Sequence, residues 1–440
     1  MKQLPNGLTT IAVVALGKIG LPVAAHYAAL GHRVIGCDID ADLVAAINSG
    51  ECPIVHEPGL GEMVAAGVRS GQLRATTDTA AGVAQAQVVI VLVPLDVDAR
   101  HQPEFGPLDA AFAAIGAGLQ AGALVLLETT VPTGTTRDRF GPAIEAGGLR
   151  CGRDFSLAFS PERVQSGRVL RDLATYPRVV GGVDPQSTER AAMFYEENFG
   201  VSAIRLSSAE AAEFCKIAES VYRDVNIALV NELARAARAS GVDIHEVIPA
   251  ANSQPQSHIH RPGLGVGGHC IPVYPYFLLA QTEDVSLPLA ARAINDGMPV
   301  YAAGLLEQAL GGLTGRRVLV LGLTYRPGVQ ETAHSPALTL AAELRRQGAV
   351  VAGHDPLLSP DAVGAFGLIP AAPDGAWPAD AIVLHTADPA YRDLDAGAIP
   401  SVRVVLDCAG ALDGRRSADR GITYLAIGRP VTRAAIEVRS

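Results

Sequence analysis

A chain of 440 residues has room for two or three domains of ordinary size, and 49% hydrophobic with 18% charged residues is a globular balance. The formal net charge of −10 excludes a general nucleic-acid binder, which needs a basic face, but permits a local basic pocket around a small anion. No apolar run is long enough to span a membrane, and the six cysteines (Cys37, Cys52, Cys151, Cys215, Cys270 and Cys408) are scattered without a CxxC pair. The expectation is a soluble, reduced, cytoplasmic protein with no metal site.

TTIAVVAL, residues 9–16, is a continuous apolar run suited to a strand buried on both faces. ALGKIG follows, then LPVAAHYAALGH, which predicts a helix ending at Gly31, then RVIGCDID, a second strand ending in acid. This is a βαβ unit. VVIVLVP at 88–94 and ALVLLETT at 123–130 continue the strand–helix alternation to about residue 200. Residues 207–240 hold no glycine or proline and place apolar residues at helical spacing, which predicts one long helix of about 34 residues. From Thr314 the alternation resumes: GRRVLVLGLTY is strand and turn, SPALTLAAELRRQGAVVAGHDP helix, strand and acid, and DAIVLHT and VRVVLDCAG are further strands. The expected class is α/β, with two Rossmann-like doubly wound parallel-sheet domains joined by a long central helix. The expected boundaries are 1–200, 201–313 and 314–440.

Four constellations carry chemistry. The turn Ala15-Leu16-Gly17-Lys18-Ile19-Gly20 is a dinucleotide fingerprint with alanine in its first glycine position. Asp38, about 20 residues on, suits ribose hydroxyls and repels a 2′-phosphate, so NAD is expected over NADP. Alternatively, the same segment is a βαβ turn with no ligand. On the long helix, Lys216 and Ser220 share a face at i and i+4, with Asn226 and Asn231 further along; the plain reading of such a lysine is a solvated charge. Cys270 follows Gly263-Leu-Gly265-Val-Gly267-Gly268, a run that lets backbone approach a ligand; a lone cysteine is otherwise a small buried apolar residue. Just upstream, His258, His260 and Arg261 either meet a diphosphate or are solvated polar groups. In SPERVQSGRVL, residues 160–170, Glu162 is on spacing alone a surface ion pair. ETTVPTGTT, residues 128–136, ends a strand and can open a helix through a hydroxyl cap, with Thr130 at the strand end where α/β sheets place ligands.

Taken in order, LGKIGLP, GQLRATTD, ETTVPTGTT, SPERVQSGRVL, YRDVNIALVNELA, GVGGHCIPV and GLTYRPGVQETAHSPAL resemble the UDP-glucose/GDP-mannose dehydrogenase family across nearly the whole chain, in the branch acting on amino-hexose nucleotides. The resemblance implies an NAD-binding domain, a central helix that forms a homodimer, and a C-terminal domain for the nucleotide sugar. It implies two successive oxidations at C6 of the sugar through a cysteine thiohemiacetal and thioester. Carried over by position, the nucleophile is Cys270, the oxyanion-stabilising lysine is Lys216, and Thr130 and Glu162 handle water and protons. The cofactor residues are Gly17, Lys18, Ile19, Gly20, Asp38, Pro94 and Thr130. Substrate contacts fall on Glu162, Arg163, Val164, Lys216 and Asn226, on His258, His260 and Arg261, and on Gly267, Tyr325 and Arg326.

The sequence departs from the family at four places. Ser220 stands where the family has asparagine, Tyr274 where it has aspartate, Ala333 where its D-x-R-E-S-P motif has arginine, and Ala15 where the fingerprint has glycine. A tyrosine of pKa about 10 is no carboxylate base at neutral pH. Three functions are therefore compatible with the residues. One is a nucleotide-sugar 6-dehydrogenase making a uronate. Another is a two-electron dehydrogenase that stops at a ketone or aldehyde. The last is a nucleotide-sugar-binding protein without catalysis.

Overall fold

The computed structural model describes residues 7–54 and 57–431. The chain forms two compact units, one of residues up to Glu219 together with Tyr276–Thr282, the other of Ser220–Pro275 together with the chain from Glu283.

The first unit holds eight strands: β1 (Thr10–Val14), β2 (Arg33–Cys37), β3 (Leu73–Thr76), β4 (Val88–Val91), β5 (Leu124–Leu127), β6 (Ser156–Phe159), β7 (Arg178–Gly182) and β8 (Ala203–Arg205). Their order is β3-β2-β1-β4-β5-β6-β7-β8. All neighbours run parallel except β6 and β7, which are antiparallel, a departure from the all-parallel expectation. Ile11, Val13, Val88, Ile90, Leu124 and Leu126 are fully buried, as strands covered by helices on both faces must be. The run 88–94 yields a strand only to Val91; Leu92 N still reaches Val14 O at 2.9 Å, but Pro94 has no N–H to continue the ladder. Strand order reverses between β1 and β4, so their C-terminal ends frame the crevice where such sheets take ligands.

The second unit repeats the plan with β9 (Arg317–Leu321), β10 (Val350–His354), β11 (Ile369–Pro370), β12 (Ala381–Leu384), β13 (Val404–Asp407) and β14 (Thr423–Ala426). The order β11-β10-β9-β12-β13-β14 is parallel throughout, with its reversal between β9 and β12.

The long helix spans Ala209–Ala239, 31 residues, close to the span predicted from periodicity. A second long helix, Ser286–Leu310, escapes sequence reading because Pro288, Gly297, Pro299 and Gly304 interrupt its pattern. Its apolar face still recurs at Ala291, Met298, Ala302, Leu306 and Leu310, and burial of that face holds the helix despite an internal proline. Among the described residues, no helix is long and apolar enough to cross a membrane.

Candidate active site

The turn after β1 is built around a left-handed alanine. Ala15 has φ 74°, the conformation that glycine supplies elsewhere at little cost, and its N–H donates to Cys37 O at 2.8 Å. Gly20 cannot be replaced without moving backbone, because a Cβ there would overlap Ala15 O. The helix Gly20–Ala29 starts with no acidic residue in its first turn and no side-chain cap among the described residues; Leu21 N bonds back to Gly17 O and Val23 N to Ile19 O, each at 3.1 Å, so an anion at this helix start meets no like charge within the helix's first turn. Gly17 is exposed with open space over its Cα. Asp38, half-buried at the end of β2, accepts from Leu16 N (2.7 Å) and Asp40 N (3.1 Å), one bond per oxygen, so each oxygen keeps a lone pair for a ribose hydroxyl. Lys18 is exposed, Ile19 half-buried, and Pro94 exposed beyond the end of β4. These residues fit a dinucleotide pyrophosphate at the helix start with its ribose on Asp38.

Thr130, Glu162, Arg163, Val164 and Lys216 also belong to the first unit. Lys216, 4% exposed, sends its ammonium to the main-chain carbonyl of Glu162 at 2.6 Å. The Glu162 carboxylate accepts from Arg163 N (2.6 Å) and Val164 N (2.9 Å) through Oε1 and pairs with Arg178 through Oε2 at 3.3 Å. Arg163 pairs with Glu219 at 2.9 Å, and the Val164 side chain packs on the core. Thr130 is buried three residues past the end of β5. The surface ion pair expected for Glu162 on spacing alone is corrected. Its partner Arg178 is 4% exposed and also holds Glu128, itself fully buried, at 3.0 Å.

The helix start expected from ETTVPTGTT is corrected too. Thr135 and Thr136 do not cap Thr136–Phe140 with their hydroxyls; Thr135 Oγ1 bonds back to Pro132 O. Glu213 of the long helix does the work, accepting from Gly134 N (2.6 Å), Thr136 N (2.8 Å) and Thr136 Oγ1 (2.5 Å). Burial pushes the Glu213 carboxyl up to about 7 against these donors. The acceptor comes from an element 77 positions along the chain, beyond the reach of local capping patterns.

Cys270 lies in the second unit, half-buried. Its glycine run packs against the late motif: Gly268 N donates to Ala333 O at 2.8 Å, and a Cβ on Gly267 would collide with Tyr325, with His334 O and Pro336 close behind. Tyr325 is therefore within the cysteine loop's own packing, and burial raises its hydroxyl pKa, with Arg326 opposing and Cys270 adding. Arg326 carries its guanidinium 5.7 Å from the Tyr325 ring. His269 Nε2 lies 3.5 Å from Glu331 Oε2. Tyr274 opens the short helix Tyr274–Leu279 and its N–H bonds to Cys270 O at 2.9 Å.

The start of the loop is fixed by a buried polar chain: Gly263 N donates to Asn231 Oδ1 (2.9 Å), Asn231 Nδ2 to Asn295 Oδ1 (3.0 Å), and Asn295 Nδ2 to Asp224 Oδ1 (2.8 Å), which Arg292 also holds at 2.7 Å. Ser220 is fully buried on the long helix, one turn beyond Lys216. Asn226 instead bonds back to Tyr222 O on its own helix at 2.7 Å. His258 and Arg261 are exposed; His260 is half-buried, and no hydrogen bond reaches its Nε2 among the described residues.

The second unit contains a copy of the dinucleotide turn without its glycine spacing. Gly322 (φ 80°) bonds to His354 O at 2.8 Å as Ala15 does to Cys37 O, and Leu323 N meets Asp355 Oδ2 at 2.8 Å as Leu16 N meets Asp38. Thr324 sits in the place of Gly17, and both its N–H and its hydroxyl reach the same Asp355 oxygen at 2.8 Å. Asp355 is 3% exposed and committed to its own turn, whereas Asp38 remains accessible. One turn is shaped for a ribose and the other is closed on itself.

Comparison with known proteins places three successive stretches of the chain in one family. Residues 9–199 match the NAD binding domain of the UDP-glucose/GDP-mannose dehydrogenase family, 210–297 its central domain and 319–414 its UDP binding domain. The UDP-N-acetyl-D-mannosamine dehydrogenase of Pyrococcus horikoshii is 38% identical over 392 residues, 88% of this chain and 91% of that one. The NDP-N-acetyl-D-galactosaminuronic acid dehydrogenase of Ralstonia nicotianae is 36% identical over 423 residues, 93% of this chain and 97% of that one. The solved structure of the Pyrococcus horikoshii UDP-D-ManNAc dehydrogenase superposes with a TM-score of 0.86 at 34% identity, covering 96% of this chain and 99% of that one. The chain belongs to the UDP-glucose/GDP-mannose dehydrogenase family, and is an NAD-dependent oxidoreductase of nucleotide sugars.

Proposed function

We propose that this enzyme oxidises C6 of a UDP-linked N-acetylamino-hexose to the uronate, reducing two NAD per sugar, in the cytoplasm. The observation that carries the reading is the cysteine loop. Gly267 and Gly268 are packed so closely on Tyr325 and Ala333 that Cys270 is presented by rigid backbone. NAD supplies the hydride acceptor. Cys270 Sγ adds to the aldehyde carbon left by the first oxidation, giving a thiohemiacetal; loss of the second hydride leaves a thioester. Water then releases the acid and restores the thiol. Lys216 stabilises the oxyanions, its ammonium already fixed beside Glu162, and Thr130 and Glu162 hold the water and take its proton. Arg163, Val164, Asn226, His258, His260, Arg261, Gly267, Tyr325 and Arg326 are the substrate contacts in this reading. The names of the relatives support the amino-hexose class.

The same reading assigns 1–200 to cofactor binding, 201–313 to dimer formation and the cysteine loop, and 314–440 to the nucleotide sugar. Tyr222, Leu229 and Leu233 form an exposed apolar stripe on the long helix, which suits a homodimer.

A second reading is favoured by Tyr274 and the buried Ser220, which replace the family's aspartate and asparagine: oxidation stops after one hydride at a carbonyl. The deciding experiment measures NADH formed per sugar consumed across a panel of UDP- and GDP-sugars, with product mass read alongside. A ratio of two, with gain of one oxygen and loss of two hydrogens, supports the uronate route. A ratio of one with loss of two hydrogens only establishes the shorter oxidation. Cys270→Ser that still turns over fully to acid removes the covalent step from the uronate route.

A further inference from the structure

We propose that Glu128 and Glu162 work as one proton-holding pair bridged by Arg178, with the buried Glu128 storing charge beneath the Glu162 carboxylate. The inference rests on the reading of Glu162 as the group that exchanges protons with substrate and water. All the residues involved lie in the first unit.

The geometry is specific. Arg178 Nη2 meets Glu128 Oε1 at 3.0 Å and Arg178 Nη1 meets Glu162 Oε2 at 3.3 Å, so one guanidinium serves two carboxylates. The main chains are joined too, Glu162 N donating to Glu128 O at 3.1 Å. Glu128 has no exposed surface, while Glu162 retains 12%. The outer carboxylate can meet substrate; the inner one cannot. Tyr195 donates its hydroxyl to Glu128 Oε1 at 2.8 Å, and Arg178 stacks over the Tyr195 ring at 4.6 Å. Glu128 Oε2 is buried, and no hydrogen bond satisfies it among the described residues. A buried carboxylate oxygen that receives no donor is where a proton is well placed, and here a second carboxylate shares the same guanidinium.

Two carboxylates sharing one buried guanidinium, the inner one fully buried, favour holding a proton. Burial pushes the Glu128 carboxyl up to about 7, with Arg178 opposing, Glu162 adding and Tyr195 opposing. The charged and titratable groups facing it are Arg178 from β7, Glu162 from the loop after β6, Tyr195 from the helix Pro185–Phe199 and Tyr27 from the helix Gly20–Ala29. His26 lies near Arg178, and Lys216 reaches the pair through Glu162 O. With Glu128 protonated the pair carries one negative charge. With Glu128 ionised it carries two, and transfer of a hydroxyl or water proton to the pair becomes more favourable. No atoms change partner except that proton, which enters at Glu162 and leaves to solvent there.

The test is the pH profile of kcat in the full-length enzyme with NAD and its sugar nucleotide, for the native protein and for Glu128→Gln, Tyr195→Phe and Glu162→Gln. The native profile is expected to rise through a limb near pH 7. Glu128→Gln, which keeps size and an acceptor for Tyr195, is expected to lose that limb. Tyr195→Phe removes a donor that favours the carboxylate and is expected to move the limb to higher pH. The infrared carbonyl band of a protonated buried carboxyl should titrate over the same range in the native protein and vanish in Glu128→Gln, a readout independent of turnover. A limb and band unchanged in Glu128→Gln overturn the pair while leaving Glu162 in its role. Full activity in Glu162→Gln overturns the underlying reading instead.

Discussion

The Lys216 ammonium and the main-chain carbonyl of Glu162 meet at 2.6 Å, which ties the long helix to the loop after β6 inside one compact unit. Two groups 54 positions apart are thus set together by a bond that does not consume the Glu162 carboxylate. Lys216→Met keeps the apolar stem and removes the charge. It is expected to lower kcat by about 10²–10³-fold, the scale of removing one oxyanion donor, with little change in unfolding temperature. Steady-state NADH formation and a melting curve check both halves.

The left-handed Ala15 and the packed Gly20 predict opposite responses to small changes in one turn. Ala15→Gly relieves a conformation that costs an L-residue roughly 1 kcal/mol, so the variant should be as stable as the native protein or more so, with NAD binding retained. Gly20→Ala drives a methyl into Ala15 O and should weaken NAD binding and cost about 1–3 kcal/mol. Cofactor titration and urea unfolding distinguish the two.

Glu213 makes stability depend on pH. Its carboxyl is raised from 4.5 to about 7 by burial, so between those values the folded protein holds a proton that the unfolded chain releases. Its stabilising contribution is complete below about 4.5 and is lost as pH rises through about 7. The melting temperature should therefore fall between pH 5 and pH 8, and Glu213→Gln should shrink that fall. An identical slope in the variant would place the titration elsewhere.

Asp224 holds Arg292 at 2.7 Å with 0% and 3% of the two side chains exposed, and anchors the chain of amides that reaches Gly263. Asp224→Ala leaves a buried guanidinium without this partner and should cost about 3–5 kcal/mol. Asp224→Asn should cost less. Denaturant midpoints rank them.

The sequence by itself determined a good deal here. Short continuous apolar runs rich in valine, isoleucine and leucine suit strands covered on both faces, and an acid at the end of a second strand, a glycine turn and an uninterrupted helical period are local patterns that need no partner to be read. On these rest the two α/β units, the long helix and the dinucleotide turn. Tertiary structure alone decided which charges are buried together and which turn is open. Arg178 lies in a strand with nothing in its neighbours to mark it, and becomes the bridge between Glu128 and Glu162 only when β5, β6 and β7 are brought side by side. Glu213 is one acid among several on a helix until folding places it at the start of another. Asp38 and Asp355 end equivalent strands, yet one stays accessible and the other is closed off by the Thr324 hydroxyl. The reason is physical: backbone preference and hydrophobic period act over a few residues, whereas the cost of burying charge is settled by whatever the fold places within hydrogen-bond reach, however distant in the chain.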